Sequence, residues 1–454
     1  MSNQYQIAVI GSGSGGREAA LLAARHGLRT AIIERDKLGG ICFHRGSYAV
    51  RALQASSLHF RTQLDSGLLG SESDFLKATL NSWIVKQTKV SSRLTANFEK
   101  DLRESKVEVY KGHAEFLDNR SLQVIGERGL KYSITADNIV IATGSRPEFY
   151  RSSLRRVMNS EEILSVTRLP QHLAIIGAGY IGCEFASIYR TLGCKVTLIE
   201  AKDRLLPGWE AEAGEYVALA LEKRGVEVLP EYPVHYEQII ENPYFIRIPG
   251  PNGRHVDADL VLVATGRTPN ARELGLEALG IRDSSFLRVD EKMRLSIPGL
   301  YAVGDVNGIS MLDSTAFAQA NVAVSTILGR EARFDQRWIP RYAHTEPAIA
   351  AVGWTEEEVA AAKLDYVVLK DTSGLISDDD RSVMDPEPTF VKVIVDTLSH
   401  HLLGCLAVGE HAPVIANTAA MAMRVGLTVD RLRDIPLAQP SATDALLSIV
   451  RKLG

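Results

Sequence analysis

Two stretches of this chain carry the same order of strand, glycine turn, helix, second strand and acid, and that repeat limits the fold more than any other feature. Tyr5-Gln6-Ile7-Ala8-Val9-Ile10 is short, apolar and rich in branched residues, as a buried parallel strand requires. It runs into Gly11-Ser12-Gly13-Ser14-Gly15-Gly16, an Ala/Leu-rich helical run to about Gly27, and a strand from Thr30 to Ile33 ending at Glu34. Further on, Leu173-Ala174-Ile175-Ile176 leads into Gly177-Ala178-Gly179-Tyr180-Ile181-Gly182, a helix to about Leu192, and Lys195 to Ile199 ending at Glu200. The acid follows the first glycine by 23 residues both times (Gly11 to Glu34, Gly177 to Glu200). In each copy the first glycine permits a tight turn, the second lets backbone approach a pyrophosphate, and the third lets helix pack on strand. Free N–H groups and the helix dipole favour the pyrophosphate, while Glu34 or Glu200 accepts a ribose hydroxyl. Two complete copies predict two dinucleotide sites.

The remaining pattern agrees with an α/β chain. Asn138 to Ile141 leads into Ala142-Thr143-Gly144, and Val261 to Ala264 leads into Thr265-Gly266-Arg267. In both, a strand ends in small residues (Thr143, Gly144, Gly266) that let backbone approach a cofactor. Strands at Val107 to Tyr110 and Ser121 to Val124 suggest a small antiparallel insert, with helical spacing from Ser82 to about Lys106 before it. Gly299 to Asp305 reads as a short strand ending in Gly-Asp, and Met311 to Leu328 as a helix. From about Phe334 strands and helices alternate without a glycine fingerprint, an α+β pattern. The run Ser377-Asp378-Asp379-Asp380-Arg381 reads as a solvated loop with no function. At ~100–200 residues per domain, 454 residues predict about three domains. The expected fold is two Rossmann-like three-layer dinucleotide-binding domains plus a C-terminal α+β domain.

A net charge of −4 gives no electrostatic footprint for nucleic acid or an anionic membrane. No apolar run approaches the ~18 residues of a membrane span, and no signal-peptide pattern precedes the first strand. Cys42, Cys183, Cys194 and Cys405 are spaced for neither a disulfide framework nor a metal site, so the expected compartment is the cytoplasm.

Between the fingerprints lies Gly39-Gly40-Ile41-Cys42-Phe43-His44-Arg45-Gly46-Ser47, followed by the helix-like run Tyr48 to Leu53. With the motif order of the whole chain, it resembles the active-site segment of the FAD-dependent pyridine nucleotide–disulfide reductases, the dihydrolipoamide dehydrogenase group. The resemblance implies FAD on the first fingerprint (Gly11, Gly13, Gly16, Glu34, with Gly40, Thr143 and Gly144). Asp305 would bind its ribityl chain, and the helix starting near Leu312 would point at the flavin pyrimidine. The nicotinamide cofactor would lie on the second fingerprint (Gly177, Gly179, Gly182, Glu200, with Gly266). The FAD-binding domain would then be discontinuous, residues 1–149 and 270–332, around a nicotinamide domain at 150–269. Residues 333–454 would form the homodimer interface. Tyr180 matches the tyrosine that covers the flavin, or else is a packing aromatic. Arg51 and Glu184 match a lysine–glutamate pair near the flavin, or else make an inter-domain salt bridge. Glu200 favours NADH because it repels a 2′-phosphate, although Lys202 and Arg204 lie near enough to leave tolerance of NADPH.

The departures from that family matter most. Its second active-site cysteine is Ser47 here, and a serine cannot form a disulfide. Its C-terminal catalytic histidine is Gln439, whose amide does not titrate near neutrality, with Asp444 in place of the orienting glutamate. Cys42, near a helix start where a thiol pKa can fall, is read as a packing residue or a lone reactive thiol. His44 is read as a proton donor near the flavin, and Asp313 as either an N-cap or a charge near the flavin. These changes lead to an FAD enzyme that takes hydride from NADH or NADPH and passes electrons directly to a non-disulfide small-molecule acceptor such as a quinone. A soluble pyridine nucleotide transhydrogenase and a weakly active flavoprotein with a regulatory or scaffold role are the alternatives.

Overall fold

The computed structural model describes residues 4–66, 72–148, 154–282, 285–371, 390–438 and 441–453, with no account of side chains at 64–65 and 72–81. The described residues divide into two compact units. One takes residues up to 56, 78–148 and 266–336, and the other takes 57–77, the stretch to 265, and 337 onward.

The first unit is built on a parallel sheet. Glu108–Lys111, Thr30–Glu34, Gln4–Ile10, the latter half of Lys131–Ile141, and Leu300–Ala302 lie side by side in that order. Five of the seven residues of Gln4–Ile10 are buried, and all of Thr30–Glu34 is, as sheets covered on both faces demand. Lys131–Ile141 pairs in two ways along its length: residues 131–135 run antiparallel to Ser121–Ile125, which pairs with His113–Phe116. The antiparallel insert is therefore built from those three strands. Glu108–Lys111, expected within it, instead extends the parallel sheet beside Thr30–Glu34. The helices Ser14–Arg25 and Asp313–Ile327 pack on each other and cover one face. Ser145–Pro147 and Arg267–Pro269 pair antiparallel, so the strands that leave and re-enter this unit run side by side.

The second unit repeats the order. Glu227–Leu229, Lys195–Ile199, His172–Ile176, Leu260–Val263 and Val157–Asn159 form one parallel sheet. Its other large sheet is antiparallel, in the order Arg341–Ala343, Ile349–Gly353, Leu402–Val408, Phe390–Asp396, Tyr366–Asp371, with the helix Ala412–Arg424 packed against it. His400 sits at the tip between Phe390–Asp396 and Leu402–Val408 with φ 58°. The acidic run at 377–381 lies outside the described residues.

Candidate active site

In both units a central strand of the parallel sheet ends in the glycine turn, and a carboxylate fastens that turn. Gly11 has φ 97°, and a Cβ at Gly16 would overlap the Gly11 carbonyl oxygen, so only glycine lets helix Ser14–Arg25 start this close to the strand. On the side where a Cβ would project Gly13 meets nothing, as a turn that faces a ligand requires. Glu34 is buried. Its Oε2 accepts from the Ser12 amide at 2.9 Å and the Ser12 hydroxyl at 2.6 Å, and its Oε1 accepts from the Asp36 amide at 2.8 Å. In the second unit, a Cβ at Gly182 would overlap Gly177 in the same way, Gly179 faces open space, and buried Glu200 accepts from Ala178 and Lys202 amides at 2.7 and 2.9 Å. Tyr180 opens the helix Tyr180–Thr191 and is half-buried.

Ser12 ties the active-site segment to the first turn. Its hydroxyl accepts from the Gly39 amide at 3.1 Å, and Gly40 packs so closely that a Cβ there would lie 2.8 Å from Gly13 Cα. The short helix Gly40–His44 then carries Cys42, and Ser47 starts the helix Ser47–Asp65. Ser14, Ser47 and Asp313 surround the Cys42 sulfur. Burial, and then the Asp313 carboxylate, push that thiol up to about 12, against the hydrogen bonds of Ser14 and Ser47. The lowering that a helix start can give a thiol is not seen at Cys42: loss of water and a neighbouring carboxylate outweigh the two hydroxyl hydrogen bonds. Asp313 is the first residue of its helix and Leu312 is the N-cap, so the acid does not cap; it accepts from the Ser14 hydroxyl.

Other expected residues have partners of their own. His44 Nε2 meets Leu38 O at 2.9 Å and its Nδ1 meets Ser91 Oγ at 2.5 Å, while Gln87 Nε2 donates to His44 O at 2.8 Å. Such contacts brace the segment against the long helix Glu72–Glu104 and commit both ring nitrogens. Arg51 Nη1 donates to Gln54 Oε1 at 3.2 Å in the first unit, and in the second Glu184, buried, accepts the His344 amide at 2.7 Å. Gln439 lies outside the described residues. Asp444 Oδ2 accepts the Ser441 amide at 2.8 Å, and its Oδ1 is buried without a hydrogen-bond partner among the described residues.

Sequence reasoning passed over one network. Ser145 Oγ donates to Asp305 Oδ2 at 2.6 Å and accepts from Arg267 Nε at 2.7 Å, and Arg267 Nη2 also donates to Ser145 O at 3.0 Å. Burial pushes the Asp305 carboxyl up, and Ser145 and Arg267 draw it back. Only the antiparallel pairing of Ser145–Pro147 with Arg267–Pro269 brings these residues together. The fit to a dinucleotide in the first unit rests on more than the glycines: Thr143 Oγ1, at the end of the central strand, is buried with no partner among the described residues. Gly144, with φ 69°, leaves open space beside it.

Two glycine turns, each locked by an acid and each on a strand of a parallel sheet, define a protein built to hold two dinucleotides. Residues 5–325 match the family described as pyridine nucleotide-disulphide oxidoreductase, and residues 339–448 match its dimerisation domain. The dihydrolipoyl dehydrogenase of Chlorobaculum parvum is 32% identical over 460 residues, spanning 98% of this chain and 96% of that protein. Its namesake from Staphylococcus aureus is 31% identical over 450 residues, with 98% and 95% covered. Among solved structures, LpdA from Mycobacterium tuberculosis has 25% identity and a TM-score of 0.89, covering 100% of both chains. The Cu(II) complex of the HOCl-induced flavoprotein disulfide reductase RclA from Escherichia coli has 25% identity and a TM-score of 0.86, covering 99% of this chain and 100% of that one. The chain belongs to the pyridine nucleotide–disulphide oxidoreductases. It is an FAD-dependent NAD(P)H oxidoreductase whose cofactors are FAD and NAD(H), and its C-terminal domain is the family's homodimerisation domain. None of its described helices is long and apolar enough to cross a membrane.

Proposed function

We propose that this oxidoreductase passes hydride from NADH to FAD and delivers the electrons directly to a non-disulfide acceptor such as a quinone. The observation that carries the reading is Cys42 facing the Ser47 hydroxyl, a position from which no disulfide can form. The net reaction is NADH + H⁺ + quinone → NAD⁺ + hydroquinone, which needs no sulfur relay.

We assign FAD to Gly11, Gly13, Gly16 and Glu34, with Asp305 on its ribityl chain and the start of the helix Asp313–Ile327 at the pyrimidine ring. NADH is assigned to Gly177, Gly179, Gly182 and Glu200. When bound, FAD supplies the two-electron store between donor and acceptor. The chain's own part is binding and orientation: both helix starts offer N–H groups to pyrophosphate, and Thr143 Oγ1 offers an unused hydroxyl. Cys42, protonated at neutral pH, lines the site as a small polar wall. With Gln439 in place of a histidine, no imidazole at that position moves protons. Free thiols throughout suit a reducing cytoplasm.

The test is the Cys42→Ser variant, loaded with FAD and assayed with NADH against a water-soluble benzoquinone and against lipoamide. Quinone turnover within about threefold of the parent, with negligible lipoamide turnover by either protein, is the expected result. Collapse of quinone turnover in the variant would place the thiol in the electron path. Faster turnover of an oxidised nicotinamide analogue than of quinone would select return of hydride to a second nucleotide.

A further inference from the structure

Glu200 uses both carboxylate oxygens on backbone amides of its own neighbourhood, Ala178 at 2.7 Å and Lys202 at 2.9 Å. The chain then turns back, and the Leu206 amide donates to Ala178 O at 2.9 Å. Residues 200–206 are therefore fastened at both ends to the second glycine turn. Arg204 lies within that fastened loop, four residues from the ribose-binding acid. Its guanidinium makes a two-pronged pair with Glu357: Nη1 to Oε1 at 2.9 Å and Nη2 to Oε2 at 3.2 Å.

Glu357 is held by a rigid neighbour. It belongs to the helix Glu356–Ala361, whose N-cap Thr355 forms a reciprocal capping box with Glu358. The Glu356 amide donates to Glu210 Oε2 at 3.0 Å. Lys392, 1% exposed, joins Glu210 and Glu356 at 2.6 Å each and Glu212 at 3.0 Å. The helix is thus clamped to residues 210–212, which follow the loop that carries Arg204.

We propose that Glu357 is a specificity-determining residue for the nicotinamide dinucleotide: by engaging the guanidinium fork of Arg204 it withholds that cation from a 2′-phosphate and keeps the site selective for NAD(H). A guanidinium fork matches phosphate and carboxylate equally well, so the two anions compete for it. The inference rests on the second fingerprint being the nicotinamide site.

The test is equilibrium titration of the FAD-loaded protein with NAD⁺ and with NADP⁺, followed by tryptophan fluorescence or calorimetry, in the parent, E357Q, R204Q and the double variant. Glu357 is 65% exposed along its side chain and glutamine has its shape, so E357Q keeps the fold. E357Q is expected to tighten NADP⁺ about fivefold and change NAD⁺ by less than about twofold. R204Q alone leaves NADP⁺ within about twofold, and the double variant returns to the parent value. An unchanged NADP⁺ affinity in E357Q would overturn the proposal, as would a gain that survives in the double variant, since Glu357 would then act by repulsion alone. A parent that binds neither nucleotide would instead sink the site assignment, an outcome distinct from unchanged selectivity in a protein that binds NAD⁺.

Discussion

The Ala178 amide donates to Glu200 Oε2 at 2.7 Å, so the acid that would receive a ribose also holds the glycine turn in shape. Glu200→Ala removes the partner of two amides at once, and the buried Ala178 amide left unmet costs about 1–3 kcal/mol. Affinity for NAD⁺ is expected to fall at least tenfold by calorimetry. Flavin content, read from the visible spectrum, is expected to hold, because Glu34 fastens the other turn independently. Loss of flavin in the same variant would contradict two independent sites.

The Gly16→Ala substitution tests the first turn. A Cβ there meets the Gly11 carbonyl, so the helix start must shift away from the strand. The protein is expected to purify with less than about a tenth of the parent's flavin while keeping NAD⁺ affinity. Full flavin occupancy would show that the first turn does not bind it.

Cys42 offers a chemical readout. Burial and then Asp313 push its thiol up to about 12, and the thiolate is the form that reacts. At pH 8 in FAD-free protein its alkylation by iodoacetamide, mapped by peptide mass spectrometry, is expected to be slow and to rise with pH toward 12. Asp313→Asn removes a negative neighbour, lowers the thiol pKa, and is expected to speed alkylation at pH 8 by about fivefold or more. A slower reaction in that variant would refute the arrangement.

Lys392 is buried against Glu210, Glu212 and Glu356, and Lys392→Met removes the cation the three share, leaving Glu212 with Lys370. Breaking a buried pair this way costs about 3–5 kcal/mol, measurable by urea denaturation. Burial pushes the Glu212 carboxyl up, but hydrogen bonds from Lys370 and Lys392 outweigh it and hold it at about 2. A depressed carboxyl contributes stability above its unfolded pKa of about 4.3, and that stability fades as pH falls toward 2. Below about pH 4 the parent is expected to lose stability more steeply than Lys392→Met; parallel acid limbs would contradict the cluster's role.

Much of this is legible from local pattern. Each fingerprint lies within one continuous stretch, so spacing alone locates Gly11 to Glu34 and Gly177 to Glu200, and the structure shows the strands and helices between them. Departures arise where partners are distant in the chain. Ser14 and Asp313 are 299 residues apart, so nothing local reveals that Asp313 faces a serine and a thiol rather than capping its helix. Arg204 reads as a cation that leaves tolerance of NADPH, and nothing local reveals its pairing with Glu357 of the helix Glu356–Ala361. Lys392 sits in the strand Phe390–Asp396, and only the opposing glutamates explain a buried ammonium. Glu108–Lys111 reads as part of the insert because strand spacing carries no information about which neighbour a strand pairs with.

The central claim is that electrons leave this protein without crossing sulfur. Stopped-flow mixing of anaerobic, NADH-reduced protein with either a benzoquinone or oxidised lipoamide, watching flavin absorbance, tests it most directly. Reoxidation by quinone at least about a hundredfold faster than by lipoamide is the predicted result; comparable or faster reoxidation by the disulfide would contradict the account.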